Sequence, residues 1–427
     1  MQEELLHFIW KYKKLQLKDL FTSKNESVSI ISVGEHNLHS GPDFFNSKIK
    51  IDQQLWAGNV EIHVKSSDWY AHYHEKDTNY NNVILHVVWE DNMPVFRNDN
   101  SEIPTLELKN YISENLLADY RNLFDKRNFT FINCEKFIGT LDPFVFSSWQ
   151  ERLFFDRLER KYEAVLQLLE ESKNDWEKTL FVLLLKNFGL NINGDSFLSI
   201  AKAIDFSIVR KLHKDAFKLE SVFFGIAGFL ESEVLVDNYY KQLKEEYRYL
   251  KIKFNLQSDG VQTPEFFKLR PPNFPTIRLP QIASLYAENQ TLFQNVIKAS
   301  TLKDLYKLLD GVASTYWDTH YVFGKTSKNS NKKLTKKFKD LIIINTIIPL
   351  KFCYSKYIGV ESNDEIITII ASIKSENNAI VTNFKNLGVH CVNAKETQSV
   401  IQLYTQYCTK NKCLQCAVGV SLLNRNG

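Results

Sequence analysis

An acid, an imidazole and an amine recur at alternate positions of the run VEIHVK, as Glu61, His63 and Lys65. Residues two apart in a β-strand share a face, so the three project together while Val60, Ile62 and Val64 pack on the other side. Asp43 follows the turn Gly41-Pro42 at the head of another strand-like run, and an acid there can meet Glu61 across a hairpin. Phosphodiester hydrolysis asks for such a set: carboxylates to hold one or two divalent cations, with a base or cation beside the attacking water. Magnesium or manganese suits Asp43 and Glu61, because a hard cation keeps several waters and needs few protein oxygens. Lys65 would then stabilise developing charge, and His63 would orient water or bind the metal. The same spacing also fits a surface charge ladder, with Asp43 as a turn residue.

Histidine density adds a second possibility. His36, His39, His63, His72, His74 and His86 are six of the ten histidines in the chain. Imidazole is the commonest transition-metal ligand, so zinc or manganese on this cluster is an alternative to a carboxylate-only site, with capping or loop roles for several of the six. A third constellation closes the chain, where Cys408, Cys413 and Cys416 crowd into YCTKNKCLQC. Three close thiols with a distant fourth ligand suit zinc or an iron–sulfur cluster, the candidates for the fourth being Cys134, Cys391 and His390. Arg270 and Arg278 flank prolines and could clamp an anion or brace the segment. The lysine-rich run 324–340 reads as a solvated loop or a phosphate contact.

These residues need elements to hold them. Leu5, Leu6, Ile9 and Trp10 have helical spacing behind two acids, predicting an amphipathic helix over 5–14. VSIISV, Phe44–Ile51, Gln54–Lys65 and VILHVVWE (Val83–Glu90) read as strands, the last apolar enough to be buried on both faces. The pattern of helix, three strands, polar crossover and strand implies an α+β or α/β layout with one sheet. From Pro143 onward the spacing is helical over 144–171, 176–188, 194–203, 216–232, 236–250, 281–297 and 302–309. The prolines of LRPPNFPTIRLPQIASL (Leu269–Leu285) predict a rigid extended segment instead. The tail Ala394–Leu423 reads as helix, cysteine knuckle, helix.

A chain of 427 residues should form two or three domains, and the pattern places them at 1–115 (α/β), 140–310 (helical) and 311–427 (helical with the knuckle). Net charge of +3 announces no global nucleic-acid field. The acidic N-terminus is unlike a secretory signal, the apolar run LIIINTIIPLKF is too short to span a bilayer, and reduced cysteines suit the cytoplasm.

The motifs GPDF, WAGNVEIHVKSSDW, YNNVILHVVWE and RPPNFPTIRLPQIA together resemble the DUF2851 family of bacterial proteins of unknown function, over nearly the whole chain. The N-terminal region also resembles the PD-(D/E)xK nuclease superfamily, where a Pro-Asp aspartate and a Glu-x-Lys pair bind magnesium and act on DNA or RNA. Pro42-Asp43 and Glu61 match that pattern. Position 63 departs from it, with histidine in place of lysine and Lys65 one strand period further on. The resemblance implies a mixed-sheet nuclease-like domain and a metal-dependent nuclease acting on nucleic acid. A non-catalytic scaffold retaining that fold and a zinc-dependent hydrolase built on the histidines are the rival expectations.

Overall fold

A computed structural model describes residues 2–232 and 237–424. The chain divides into two compact units, and neither is a single segment. The first joins 1–149 to two returning pieces, 383–389 and 403–427; the second holds 150–382 and 390–402.

The first unit is built on a seven-stranded mixed sheet. Its strands are β1 (Leu20–Phe21), β2 (Ser27–Ser32), β3 (Glu35–His36), β4 (Phe44–Ile51), β5 (Gln54–Lys65), β6 (Val83–Glu90) and β7 (Thr105–Glu107). The order is β1-β2-β4-β5-β6-β7, with β3 pairing onto β4. Pairing is antiparallel from β1 to β5 and parallel from β5 to β7. The expected bounds of β4, β5 and β6 are met, and the two-residue hairpin between β4 and β5 turns on Asp52 at φ 48. Parallel strands need a long crossover, and the stretch between Lys65 and Val83 is long enough to carry the chain back over the sheet.

Helix α1 (Glu3–Lys11) ends three residues short of the expected Lys14. It buries Leu5, Leu6, Phe8, Ile9 and Trp10 and packs against β5. Each such side chain contributes about 1.5–3 kcal/mol on burial. Trp10 also anchors the helix by donating from Nε1 to the Val33 carbonyl, 3.1 Å away. The short helix α2 (Asp68–Ala71) begins the β5–β6 crossover, and α3 (Glu114–Phe124) follows the sheet.

The second unit is helical apart from a two-stranded ribbon, and one large apolar core runs through it. The segment Leu269–Leu285 is not extended. It forms a 3-10 turn at Pro271–Asn273 and a helix at Pro275–Glu288, with every residue from Pro275 to Ala287 buried. Pro275 starts that helix, where its missing N–H costs nothing, and burial on all sides outweighs the break that Pro280 would impose on an isolated helix. The helix expected over 216–232 stops at Ile226, and the one expected from Val236, which lies outside the described residues, is seen at Asn238–Phe254. No described helix is long and apolar enough to cross a membrane.

Candidate metal centre

Parallel pairing of β5 with β6 sets Glu61 directly opposite His86, with His63 two residues on and on the same face. All three are buried, and His63 and His86 are fully so. An imidazole taken out of water needs a partner, and these two supply one to each other: His63 Nδ1 lies 2.8 Å from His86 Nε2. His63 Nε2 faces the opposite way, 3.1 Å from His72 Nδ1.

His72 and His74 come from the crossover. His72 follows α2, and Tyr73 takes a left-handed conformation (φ 60) before the 3-10 turn His74–Lys76. That conformation costs a non-glycine residue about 1 kcal/mol or more, and it turns both flanking histidines back over β5. His74 stacks on Tyr80 at 3.8 Å, and the fully buried Trp69 meets both His74 and His86 with its ring edge or tilt. Trp69 therefore props the cluster from below, and its Nε1 donates to the Phe96 carbonyl. Trp69→Ala should lower unfolding stability of the first unit by about 3–5 kcal/mol and loosen both histidines, measurable by denaturant unfolding and by line broadening of their ring protons.

Ligand-capable nitrogens of His63, His72 and His74 all lie within 4.8 Å of one another. Glu61 Oε1 borders two of the three, 3.3 Å from His74 Nε2 and 3.6 Å from His63 Nε2. A tetrahedral ion with bonds of about 2.0–2.1 Å holds its ligands roughly 3.3 Å apart, so separations of this size fit a single transition-metal ion. His74 Nε2 is buried and makes no hydrogen bond, as expected of a nitrogen aimed at a cation.

Asp43 lies beside this group, one residue before β4. Its N–H donates to Glu61 Oε2 at 3.1 Å, while its Oδ2 accepts from the Ile62 N–H at 2.9 Å. The two carboxylates are thus cross-braced by backbone, with Glu61 turning one oxygen to Asp43 and the other to the histidines. On the far side of Asp43, His7 Nε2 lies 3.2 Å from Oδ2 and 3.7 Å from a Glu3 oxygen. Glu3, His7 and Asp43 form a second group of ligand atoms within 4.8 Å.

Protonation follows from burial. Desolvation holds His63, His86 and His74 neutral, down to about 2, 3 and 4, and neighbouring imidazoles add to the effect. Neutral imidazole is the form that binds metal. Burial, then the Asp43 carboxylate, pushes Glu61 up to about 9, so without a cation it holds a proton. Burial also works against a charged His7, but its bond to Asp43 and the fields of Asp43, Glu3 and Glu4 outweigh it and raise its pKa. Donor set, spacing and an orphaned buried nitrogen all fit a divalent transition ion.

Other expected residues stand apart from this cluster. The Lys65 side chain is exposed at the end of β5 and makes no hydrogen bond or ion pair among the described residues. His36 stacks on Phe44 and meets the edge of His7. His39 is exposed in a loop ordered by Asn37. Arg270 and Arg278 belong to the second unit. Arg278 is buried as a brace, bonded to Gln281 and Asn273 and lying over the Phe338 ring, and it meets side-chain rather than backbone carbonyls. Exposed Arg270 precedes the 3-10 turn. Cys408, Cys413 and Cys416 line one cavity of the first unit together with Cys134, whereas His390 and Cys391 belong to the second unit. Glu3 and His7 escaped the sequence reading. Their signal was there: they are one helical turn apart on α1, the polar pair on an otherwise apolar face.

No curated protein and no solved structure matches the chain. A family model described as "Protein of unknown function (DUF2851)" matches residues 3–379. The chain therefore belongs to the DUF2851 family.

Proposed function

We propose that this protein is a metal-dependent hydrolase of phosphodiesters, with nucleic acid as its substrate class. The observation that carries the reading is the trio of ligand nitrogens from His63, His72 and His74 within 4.8 Å of one another, with Glu61 Oε1 close to two of them and the braced Asp43–His7 pair alongside. Three imidazoles and one carboxylate favour zinc or manganese over the magnesium that Asp43 and Glu61 alone would suit. His72 is exposed to solvent, so an ion held by these residues would be open to water and substrate.

The ion supplies Lewis-acid activation of a water and of the scissile ester. The chain's own groups do the rest. His86 fixes the His63 ring through Nδ1, the support a ligating imidazole requires. His7, whose protonated form Asp43 and Glu3 favour, is placed to give a proton to the leaving oxygen. Lys65, free at the rim of the same strand face, offers a cation to a neighbouring phosphate. The Pro42-Asp43 and Glu61 pattern supports a phosphodiester as the bond cleaved.

Purified protein stripped of metal and reloaded separately with zinc, manganese or magnesium should cleave single-stranded DNA or RNA with one of the first two. Asp43→Ala, Glu61→Ala and His7→Gln should each slow it by about 100-fold or more. Equal rates in the wild type and all three variants would overturn the reading.

A further inference from the structure

Cys134 and the tail cysteines are about two-thirds of the chain apart, yet all four line one small cavity of the first unit. None is in a disulfide, and the three other than Cys408 are buried, with Cys408 half-buried. Each thiol lies within electrostatic reach of the others.

The local backbone is shaped around these sulfurs. Cys408 ends a π-helical segment, Tyr404–Cys408, a departure from α-helix that shifts the last side chains by a residue. Asn411 turns the chain at φ 53, and Cys413 opens a 3-10 turn, Cys413–Gln415. Gly419 then passes so close that a Cβ there would meet the Cys413 carbonyl at 2.2 Å. Cys416 sits at the head of the last helix, Ala417–Asn424, and its sulfur receives the N–H groups of Val418 and Gly419 and the Trp149 indole. Asn133 directs its side chain to the Cys413 sulfur. Burial raises the pKa of all four thiols, and the N–H donors aimed at the Cys413 and Cys416 sulfurs act against it, as the outer support of a metal-bound thiolate does.

Sulfur spacing distinguishes the candidate metals. Around one zinc ion, with Zn–S bonds of about 2.3 Å, four sulfurs stand roughly 3.8 Å apart. Around a cubane iron–sulfur cluster the cysteine sulfurs stand about 6 Å apart. Among the described residues, the groups of three ligand atoms within 4.8 Å of one another are His63–His72–His74 and Glu3–His7–Asp43, and the thiols do not form a third. They line one cavity in a looser arrangement than that.

We propose that Cys134, Cys408, Cys413 and Cys416 hold a four-iron, four-sulfide cluster that fastens the returning tail to the Cys134 loop within the first unit. Each thiol gives up its proton as its Fe–S bond forms, so assembly releases protons and changes no oxidation state of the protein. The tail packs on α1 and α3, so the cluster closes a loop spanning most of the chain. Such a closure stabilises by restricting the unfolded chain.

Full-length protein purified without oxygen, or reconstituted with sulfide and equal amounts of ferrous and ferric iron, should be brown, with broad visible absorption and equal amounts of iron and acid-labile sulfide, about four of each per chain. Cys408→Ser, at the half-buried position, should lose most of both, and Cys391→Ser in the second unit should lose neither. Zinc without sulfide in the wild-type protein, or no bound metal after reconstitution, would overturn the proposal. So would full iron and sulfide in Cys408→Ser together with Cys134→Ser. Because iron and sulfide are counted on the folded protein itself, the outcome stands apart from any hydrolase activity.

Discussion

Replacing His63 by alanine should strip the transition metal from the centre and with it all metal-dependent hydrolysis. His63 is the hub of the group, touching His86 through one nitrogen and His72 and Glu61 through the other. Removing it takes away a ligand, so zinc or manganese affinity should fall by several orders of magnitude, where loss of an outer partner such as His86 costs about 10–100-fold. The same change leaves His86 and Glu61 buried beside an empty volume, at about 1–3 kcal/mol for each unsatisfied group. His72→Ala separates the two effects. His72 presents its outer side to solvent, so its loss should cost metal and little stability. Titration calorimetry on metal-free protein checks both, with unfolding measured alongside. Wild-type affinity in His72→Ala and His63→Ala together would exclude this group as the metal site.

How much of this site could be read in advance follows from the range of the forces that build it. Alternation along β5 was enough to put Glu61 and His63 on one face, because a strand's period is fixed by its backbone. The hairpin at Asp52 was equally local, and it brought β4 and hence Asp43 alongside Glu61. The parallel partner was not local. That His86 lies opposite Glu61 depends on the register of a crossover whose length, and not its composition, decides the pairing. Convergence of His72 and His74 depends on the left-handed Tyr73, a conformation that tyrosine gives no reason to expect. His7 was missed because its helix reads as ordinary core, with five apolar residues hiding one polar pair. Proline rules misjudged Leu269–Leu285 for the opposite reason: they describe a solvated helix, and this one is surrounded by core. Segment-wise reading kept the tail with its sequence neighbours, whereas it returns to the first unit, where Cys134 joins the three close cysteines.

In metal-free protein, Glu61→Gln should stabilise the first unit at alkaline pH and do nothing comparable at acid pH. The folded pKa of Glu61 is raised to about 9 from 4.5, by burial first and the Asp43 carboxylate second. Between those values the folded state keeps a proton that the unfolded chain releases. The stability linked to Glu61 is therefore fully present below the unfolded pKa and is lost as pH rises through the folded one. Glutamine does not titrate, so the variant escapes that loss, which at about 1.4 kcal/mol per unit amounts to a few kcal/mol by about pH 9. The histidines act on the other limb. His63, His74 and His86 are depressed from 6.5, so stability present above that value is lost as pH falls, equally in both proteins. A bound divalent ion reverses the first effect, because it favours the ionised Glu61 carboxylate over the acid. Added zinc should then flatten the alkaline decline of the wild type and protect the variant far less. Hydrogen exchange of β5 and β6 amides, followed from about pH 6 to about pH 9 with chelator and then with zinc, reads this unit alone. Parallel pH slopes for the two proteins under chelator would show that Glu61 is ionised in the metal-free fold, and the electrostatic case for a cation beside it would fall.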